Sequence, residues 1–207
     1  MAEQGERPSA AGFHLLAIPG SLRQQSVNRG LADAAQRVAP EGVFVTVGSL
    51  ADIPLYNADV ETAGPPEGVY AFADAIRAAD AVLFVSPEYN RGVPGVLKNA
   101  IDWVSRQTVQ TPLRYKPVGV VGVSTGAFGT IRGQAELKNL LAGSIGAYVM
   151  HQPDLMVSGA QQKFDDRGAL IDPETEQRLG DYLAALVTWT QRLRAIDAIK
   201  ALGGDGV

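Results

Sequence analysis

One stretch near the middle of the chain, residues 81–103, constrains the fold more than any other: AVLFVSPEYNRGVPGVLKNAIDW. It opens with an apolar run, Ala81–Val85, that is too short for a buried helix and typical of a parallel strand covered on both faces. The run breaks at Ser86-Pro87, a polar loop follows at Glu88–Gly92, and a helical pattern begins after Gly95. The stretch therefore predicts a strand, a polar loop at its carboxyl end, and a helix. In an open parallel sheet, ligands bind in the crevice beyond the carboxyl ends of the strands.

The same alternation of short apolar runs and helical patterns recurs along the 207 residues. Further strands are predicted at residues 13–18, 43–47, 118–123 and 147–151, with helices between them. Alternating strands and helices indicate an α/β protein with a parallel sheet. We expect a flavodoxin-like three-layer sandwich, in which five parallel strands in the order 2-1-3-4-5 carry helices on both faces.

The remaining segments are predicted from their composition. Residues 50–66 are rich in Asp, Pro and Gly and are expected to form an irregular loop. Residues 152–172 are expected to form a hairpin-like excursion before a long closing helix that starts near residue 173. A single domain is predicted over residues 13–200, between flexible tails at residues 1–12 and 201–207.

Composition excludes several classes of function. The net charge is −4 with no basic block, which argues against a nucleic-acid partner. The chain has no cysteine, so disulfides, thiolate catalysis and thiolate-bound metals are excluded, and any redox chemistry belongs to a bound cofactor. The N-terminus is polar and no apolar stretch is long enough to span a bilayer, so we expect a cytoplasmic protein without a membrane partner.

The loop after the first predicted strand, GSLRQQSVN at residues 20–28, has the composition of an anion site. Ser21, Arg23, Ser26 and Asn28 crowd around the start of a helix, where unsatisfied N–H groups and the helix dipole favour phosphate. The alternative is structural: Ser26 only caps the helix, and Arg23 is solvated. The loop matches neither the dinucleotide-binding fingerprint nor the P-loop.

The loop at residues 87–90 is expected to lie beside the first one, because the two strands that precede these loops are neighbours in the predicted order. Tyr89 offers a flat aromatic ring, and Glu88 and Asn90 offer polar groups for a ring edge. Together the two loops predict a site for a phosphorylated planar heterocycle. The alternatives are that Tyr89 packs on its own loop and that Glu88 is a solvated turn residue.

Three stretches of the sequence, GSLRQQSVN, SPEYNRGVPGVLKNAIDW and GVSTGAFGTIRGQAELKNLL, resemble the signature stretches of the NADPH-dependent FMN reductase family. That family includes quinone, chromate and azo-dye reductases. The resemblance covers roughly residues 15–141 and implies a flavodoxin-like fold, non-covalently bound FMN, and a homodimer or homotetramer. Family members commonly carry a paired glycine before the arginine of the third stretch, whereas this chain has Gly129-Thr130-Ile131-Arg132.

Site residues follow from this resemblance position by position. The family's FMN-phosphate loop corresponds to Ser21, Arg23, Ser26 and Asn28. Its isoalloxazine loop corresponds to Pro87, Glu88, Tyr89 and Asn90, with Tyr89 beside the ring. The third loop, which borders the flavin in relatives, corresponds to Ser124 and Gly126. A glycine-rich turn between a strand and a helix also has a purely structural use.

The function implied is an NAD(P)H oxidoreductase that passes hydride to FMN and then electrons to a small acceptor by a ping-pong mechanism. The acceptor is a quinone, a flavin, an azo dye or chromate, and no protein side chain is required as a catalyst because the flavin carries the chemistry.

Two alternatives stay open: a flavodoxin-type electron carrier, and a flavin reductase that supplies reduced FMN to a partner monooxygenase. A receiver-type signalling domain is disfavoured, because Pro19-Gly20-Ser21 stands where an acidic cluster would be needed. The two histidines are isolated and do not predict a metal site.

Overall fold

The computed structural model describes residues 12–202, with side chains described up to residue 199. Of the tails predicted at residues 1–12 and 201–207, residues 1–11 and 203–207 lie outside the described residues. Residues 201 and 202, which were assigned to the C-terminal tail, continue the last helix.

A twisted parallel sheet forms the centre of the molecule. Its strands are β1 (Phe13–Pro19), β2 (Val43–Val47), β3 (Ala81–Val85), β4 (Pro117–Val123), β5 (Tyr148–Val149) and β6 (Leu155–Val157). The order is β2-β1-β3-β4-β5, and β6 also pairs with β4; every pairing is parallel. The predicted order 2-1-3-4-5 is therefore confirmed.

The fifth position of the sheet differs from the prediction of one strand at residues 147–151. β5 pairs with the start of β4 at Pro117 and Val118, and β6 pairs with its end at residues 121–123. The two short strands lie end to end along one edge of β4. Between them, Pro153 has no N–H group to donate to a ladder, so the strand is interrupted. Of the predicted hairpin, the structure keeps an isolated antiparallel bridge between Phe164 and Leu170.

On the edge of β4 that faces β5 and β6, the interruption leaves the backbone of Val120 without a strand partner. The buried hydroxyl of Tyr182 takes that place, because it accepts from the Val120 N–H at 2.8 Å and donates to the Val120 carbonyl at 3.2 Å. Burial raises the pKa of the Tyr182 phenol well above its usual range. The Tyr182 hydroxyl therefore stays neutral, and it makes the two hydrogen bonds to Val120 that a neighbouring strand would otherwise make.

Helices cover both faces of the sheet. They are α1 (Val27–Arg37), α2 (Ala58–Ala63), α3 (Glu67–Ala78), α4 (Gly95–Val104), α5 (Ile131–Asn139), α6 (Ala160–Lys163) and α7 (Pro173–Leu202). A 3-10 turn at Gln107–Val109 and a π-helical segment at Leu140–Ile145 complete the set. α2 lies in the segment predicted to be irregular; it buries none of its residues and is capped by Asn57, so it has no apolar periodicity to detect.

The core consists of two apolar clusters, one on each face of the sheet. Leu16 and Ile18 of β1 join the cluster with α3 and α4, whereas Leu15 and Ala17 join the cluster with α1 and α7. This alternation follows from the two-residue period of a strand. It confirms the predicted three-layer sandwich. Within residues 12–202, no helix combines the length and the apolar character needed to cross a membrane.

Candidate functional site

Three loops meet at the carboxyl edge of the sheet. We call them loop 1 (residues 20–26, after β1), loop 2 (residues 87–92, after β3) and loop 3 (residues 124–130, after β4). β1, β3 and β4 are consecutive in the sheet, so their loops are neighbours. A side-chain contact joins loop 1 to loop 2, and other side chains fix α1 to β4 and loop 2 to α5.

Loop 1 leads into α1 with several donors free to bind an anion. The Ser26 hydroxyl caps the helix by accepting from the Arg29 N–H at 3.4 Å, which confirms the predicted N-cap. The N–H groups of Val27 and Asn28 make no hydrogen bond within residues 12–202. Arg23 is exposed and forms no ion pair with any described carboxylate. An exposed guanidinium beside an open helix N-terminus suits a phosphate group.

Asn28 has a different role from the predicted phosphate contact. Its buried side chain donates to the Val123 carbonyl at 2.9 Å and accepts from the Val123 N–H at 3.0 Å. The last backbone hydrogen bond on that side of β4 runs from the Ser86 N–H to the Val121 carbonyl, because β3 ends there. The amide of Asn28 thus replaces the missing strand, and it fixes α1 to the point where loop 3 begins.

Loop 2 is a tight two-residue turn. Tyr89 and Gly92 exchange backbone hydrogen bonds of 3.2 and 3.0 Å, and between them Asn90 and Arg91 have φ values of 51° and 68°. Two successive positive φ angles are those of a mirror-image hairpin turn, which non-glycine residues adopt at a cost in energy. The N–H groups of Asn90 and Arg91 have no partner among the described residues. The turn therefore leaves two neighbouring N–H donors unpaired at the carboxyl edge of the sheet.

Loops 1 and 2 touch directly, as the sequence predicted. The Tyr89 hydroxyl lies 3.4 Å from the Ser21 Oγ, and the Tyr89 side chain stays 52% exposed. Gly20 leaves room for this approach: a Cβ there would lie 3.2 Å from Pro87 and 3.1 Å from Leu97, which is tighter than an ordinary van der Waals contact. The donors of loop 1 and the flat aromatic ring of loop 2 thus lie side by side at the carboxyl edge of the sheet.

Glu88 has a different partner from the predicted ring edge. Its Oε2 accepts from the N–H groups of Arg132 and Gly133, each at 2.9 Å, so the carboxylate caps the start of α5. Negative charge at a helix N-terminus is favourable. Its side chain is only 13% exposed, which also excludes a solvated turn residue. A second carboxylate that sequence analysis missed, Glu136, accepts from the Val93 N–H at 3.2 Å.

Loop 3 is exposed at its tip and fixed at its base. The Ser124 N–H donates to the Val157 carbonyl at 2.9 Å, and the Ser124 Oγ donates to the Gly126 carbonyl at 3.3 Å. Thr130 takes the place of a paired glycine with a φ of 70°, next to Gly129 with a φ of 53°. The buried Thr130 hydroxyl accepts from Gln134 at 3.0 Å, which helps to hold this unusual conformation.

One aromatic residue of loop 3 was not singled out from the sequence. Phe128 is 64% exposed, and the Arg132 guanidinium lies 4.6 Å from its ring centre. An exposed aromatic residue inside a glycine-rich turn was the signal that could have identified it. With Leu22 and Tyr89, it gives the neighbourhood of the cleft an exposed apolar component. Within the described residues, no group of His, Asp and Glu side chains could hold a metal ion.

The donor set fits a phosphorylated planar heterocycle such as FMN. Loop 1 offers unpaired N–H groups and a guanidinium for the phosphate, while loop 2 offers two unpaired N–H groups and an exposed ring. On a sheet with strand order 2-1-3-4-5, this arrangement defines the class of flavodoxin-like flavin mononucleotide proteins.

Comparison with known proteins identifies the family. Residues 13–162 match the family model for NADPH-dependent FMN reductase, and the chain belongs to that family. It is similar to an NAD(P)H-dependent FMN reductase of Pseudomonas aeruginosa, with 42% identity over 180 residues, 87% of this chain and 96% of the relative. A quinone reductase of Escherichia coli is 42% identical over 185 residues, 88% of this chain and 97% of the relative.

A solved structure supports the same assignment. The flavoenzyme NAD(P)H:(acceptor) oxidoreductase FerB from Paracoccus denitrificans matches with a TM-score of 0.78 and 34% identity, over 87% of this chain and 98% of FerB. The chain is therefore an NAD(P)H-dependent oxidoreductase with FMN as its cofactor.

Proposed function

We propose that the three loops bind one FMN and that the enzyme reduces a quinone-type acceptor with NAD(P)H. The contact between Tyr89 and Ser21 carries this proposal, because it brings the phosphate donors of loop 1 and the aromatic residue of loop 2 to one cleft. Loop 1 would hold the phosphate through Ser21, Arg23, Ser26 and the open N-terminus of α1. Loop 2 would hold the ring through the backbone at Pro87–Asn90, and loop 3 would border it at Ser124 and Gly126.

The chemistry that bound FMN supplies is hydride transfer from NAD(P)H, followed by reduction of a second substrate in the same pocket after the nicotinamide has left. The protein contributes binding and orientation. The unpaired N–H groups of Asn90 and Arg91, held in place by the turn, can donate to a carbonyl oxygen or to negative charge at a ring edge. Glu88 and Asn28 keep the loops at fixed positions through their contacts with α5 and β4.

The choice of acceptor rests on the side chains around the cleft. Leu22, Tyr89 and Phe128 are exposed and apolar, which favours a planar carbon ring over a small oxyanion. Relatives named quinone reductases point in the same direction. Flavin, azo dye and chromate are the competing acceptors.

A homodimer or homotetramer is part of the proposal, because these exposed apolar groups also suit a subunit contact. The cytoplasmic location stays a prediction.

Initial-rate kinetics test this proposal. NADPH or NADH oxidation is measured at several concentrations of benzoquinone, with azo dye, chromate and free FMN as parallel acceptors. A ping-pong enzyme gives parallel double-reciprocal lines, and we expect the highest kcat/KM for the quinone. Intersecting lines would contradict the ping-pong mechanism, and a preference for chromate would contradict the acceptor.

The two alternative functions make different predictions in the same experiment. An electron carrier oxidises neither nicotinamide without a partner reductase, which the similarity to NAD(P)H-dependent enzymes already disfavours. A flavin reductase loses its FMN on gel filtration and regains its rate only when free FMN is added. Flavin that co-elutes with the protein at a constant ratio, with turnover independent of added FMN, excludes that alternative.

A further inference from the structure

A second cleft lies at the amino edge of the sheet, opposite the three loops. It has a volume of about 320 Å³ and is bordered by the segments around the starts of β3 and β4 and by α7. The length of β4 separates it from loop 3, which at about 3.3 Å per residue is roughly 20 Å. Its charged lining consists of four basic and two acidic side chains, Arg77, Arg114, Lys116, Arg194, Asp80 and Asp197.

Two of the four basic side chains are neutralised by neighbouring carboxylates. Arg77 pairs with Asp74, and Arg194 pairs with Asp80, each at 2.5 Å. Burial disfavours the charged form of Asp80, but hydrogen bonds from Arg194 and from the His14 N–H hold its pKa below the usual value. Asp80 is thus paired with Arg194, and its charge also acts on Lys116, whose pKa it raises while burial lowers it.

The remaining cations, Arg114 and Lys116, form no ion pair with any described carboxylate. The Lys116 ammonium donates to the Ala79 carbonyl at 2.7 Å and more weakly to the Arg77 carbonyl at 3.4 Å, which leaves one N–H group over. Burial lowers the pKa of Lys116. In a chain with a net charge of −4, two unpaired cations facing one cleft form a local positive site.

Two tyrosines place further donors beside these cations. Tyr115 is 57% exposed, its ring centre is 5.7 Å from that of Tyr148, and the Arg114 guanidinium lies 5.0 Å above its ring. Neither phenol hydroxyl has a hydrogen-bond partner among the described residues. The cleft therefore combines a guanidinium, an ammonium and two hydroxyls. Of its two carboxylates, Asp80 is paired with Arg194, and Asp197 forms no ion pair with a described cation.

The backbone around this cleft is unusual for a purely structural edge. Gln110, Thr111 and Tyr115 have φ values of 57°, 41° and 61°, so three non-glycine residues within six positions adopt the left-handed conformation. The π-helical segment 140–145 lines an adjoining cleft that shares Arg114. Strained residues and π-helical turns concentrate at functional sites.

We propose that the cleft at the amino edge binds a small phosphate-bearing molecule, at a site separate from the FMN loops. Arg114 and Lys116 provide the charge, and the Tyr115 hydroxyl provides a hydrogen bond to a phosphate oxygen. The volume of about 320 Å³ suits a small ligand, and the net charge of −4 disfavours a nucleic acid.

Calorimetric titration of the FMN-loaded enzyme with inorganic pyrophosphate, at low ionic strength, tests this site. Loading with FMN keeps loop 1 occupied, so the measured heat reports the second cleft. We expect saturable binding that Arg114→Gln weakens by about tenfold to a hundredfold, the equivalent of one charge-assisted hydrogen bond. A parallel titration with adenosine 5′-monophosphate distinguishes a nucleotide from free inorganic phosphate; binding of either one supports the site.

Arg192→Gln is the matched control. Arg192 lies on α7, one of the elements bordering the cleft, is exposed and does not line it, so the variant changes net charge equally. Its affinity is expected to equal that of the wild type. Tyr115→Phe, which removes only the hydroxyl, should weaken pyrophosphate binding by about twofold to tenfold. This variant tests the site if Arg114→Gln does not fold.

Several outcomes overturn the proposal. They are the absence of binding heat at millimolar pyrophosphate, an equal loss of affinity in Arg192→Gln, and unchanged affinity in the folded cleft variants. A change of molecular mass in Arg114→Gln, measured by light scattering, would show a subunit contact in place of a ligand site.

Discussion

Asn28 gives the sharpest test of how the site is held together. Replacing it with alanine removes the acceptor of the Val123 N–H at 3.0 Å and the donor to the Val123 carbonyl at 2.9 Å. No strand can take over these contacts, because β3 has already ended at this level. A buried N–H group without a partner costs about 1–3 kcal/mol, and the second lost hydrogen bond about 0.5–1.5 kcal/mol. We therefore expect Asn28→Ala to lower the free energy of unfolding by about 1.5–4.5 kcal/mol.

The assay is urea unfolding of FMN-free protein, followed by circular dichroism, because bound FMN would add its own stabilisation. Asn57→Ala is the matched control: Asn57 caps the exposed helix α2 with one hydrogen bond, to the Asp59 N–H at 2.9 Å. Losing that cap costs about 1 kcal/mol. If Asn28→Ala costs no more than the control, the reasoning that this amide replaces a strand is refuted.

Three further predictions address the phosphate site, the interrupted strand and the response to acid. Arg23→Ala should weaken FMN binding by about 1.5–3 kcal/mol in a fluorescence titration, whereas Arg178→Ala, which removes an exposed arginine on α7, should not. Tyr182→Phe should lower the free energy of unfolding by about 1–3 kcal/mol, because it leaves the buried Val120 N–H unpaired. Folding lowers the pKa of Asp80 from its usual value of 3.8. The ionised carboxylate therefore stabilises the folded protein at pH values above 3.8, and this stabilisation is lost as the pH falls through the folded-state pKa. Asp80→Asn should therefore flatten the dependence of the unfolding free energy on pH in that acidic range.

Each of these predictions has a result that contradicts it. Equal FMN affinity in Arg23→Ala and Arg178→Ala would remove Arg23 from the phosphate site. An unchanged unfolding free energy in Tyr182→Phe would mean that the Val120 backbone finds another partner. Identical acid profiles for Asp80→Asn and the wild type would show that Arg194 and the His14 N–H do not favour the ionised form of Asp80.

The strands of the sheet could be predicted from the sequence wherever a strand is a continuous run of apolar residues. β2 and β3 have the predicted bounds, and β1 and β4 each differ by one residue. The broken fifth strand could not be predicted, since β6 has three residues and its partner on β4 is more than 30 positions away. Short strands carry little periodicity, and their existence depends on the neighbour that pairs with them.

The site was predicted in its location but not in the partners of its side chains. The strand order alone places loops 1 and 2 side by side, and the contact between Tyr89 and Ser21 confirms it. Asn28 and Glu88 use their side chains on the backbone of β4 and α5, 95 and 44 positions away along the chain. Such contacts arise only after the sheet has assembled. A polar residue in a binding loop and one that supports the loop therefore look the same in a sequence.

The central claim is that the three loops form one binding site for FMN. Its most direct test is a titration of flavin-free protein with FMN, followed by the quenching of flavin fluorescence. We expect saturation at one FMN per chain, with binding that depends on Arg23. A protein that takes up no FMN, or that binds it equally well after Arg23 has been replaced with alanine, would contradict this account of the site.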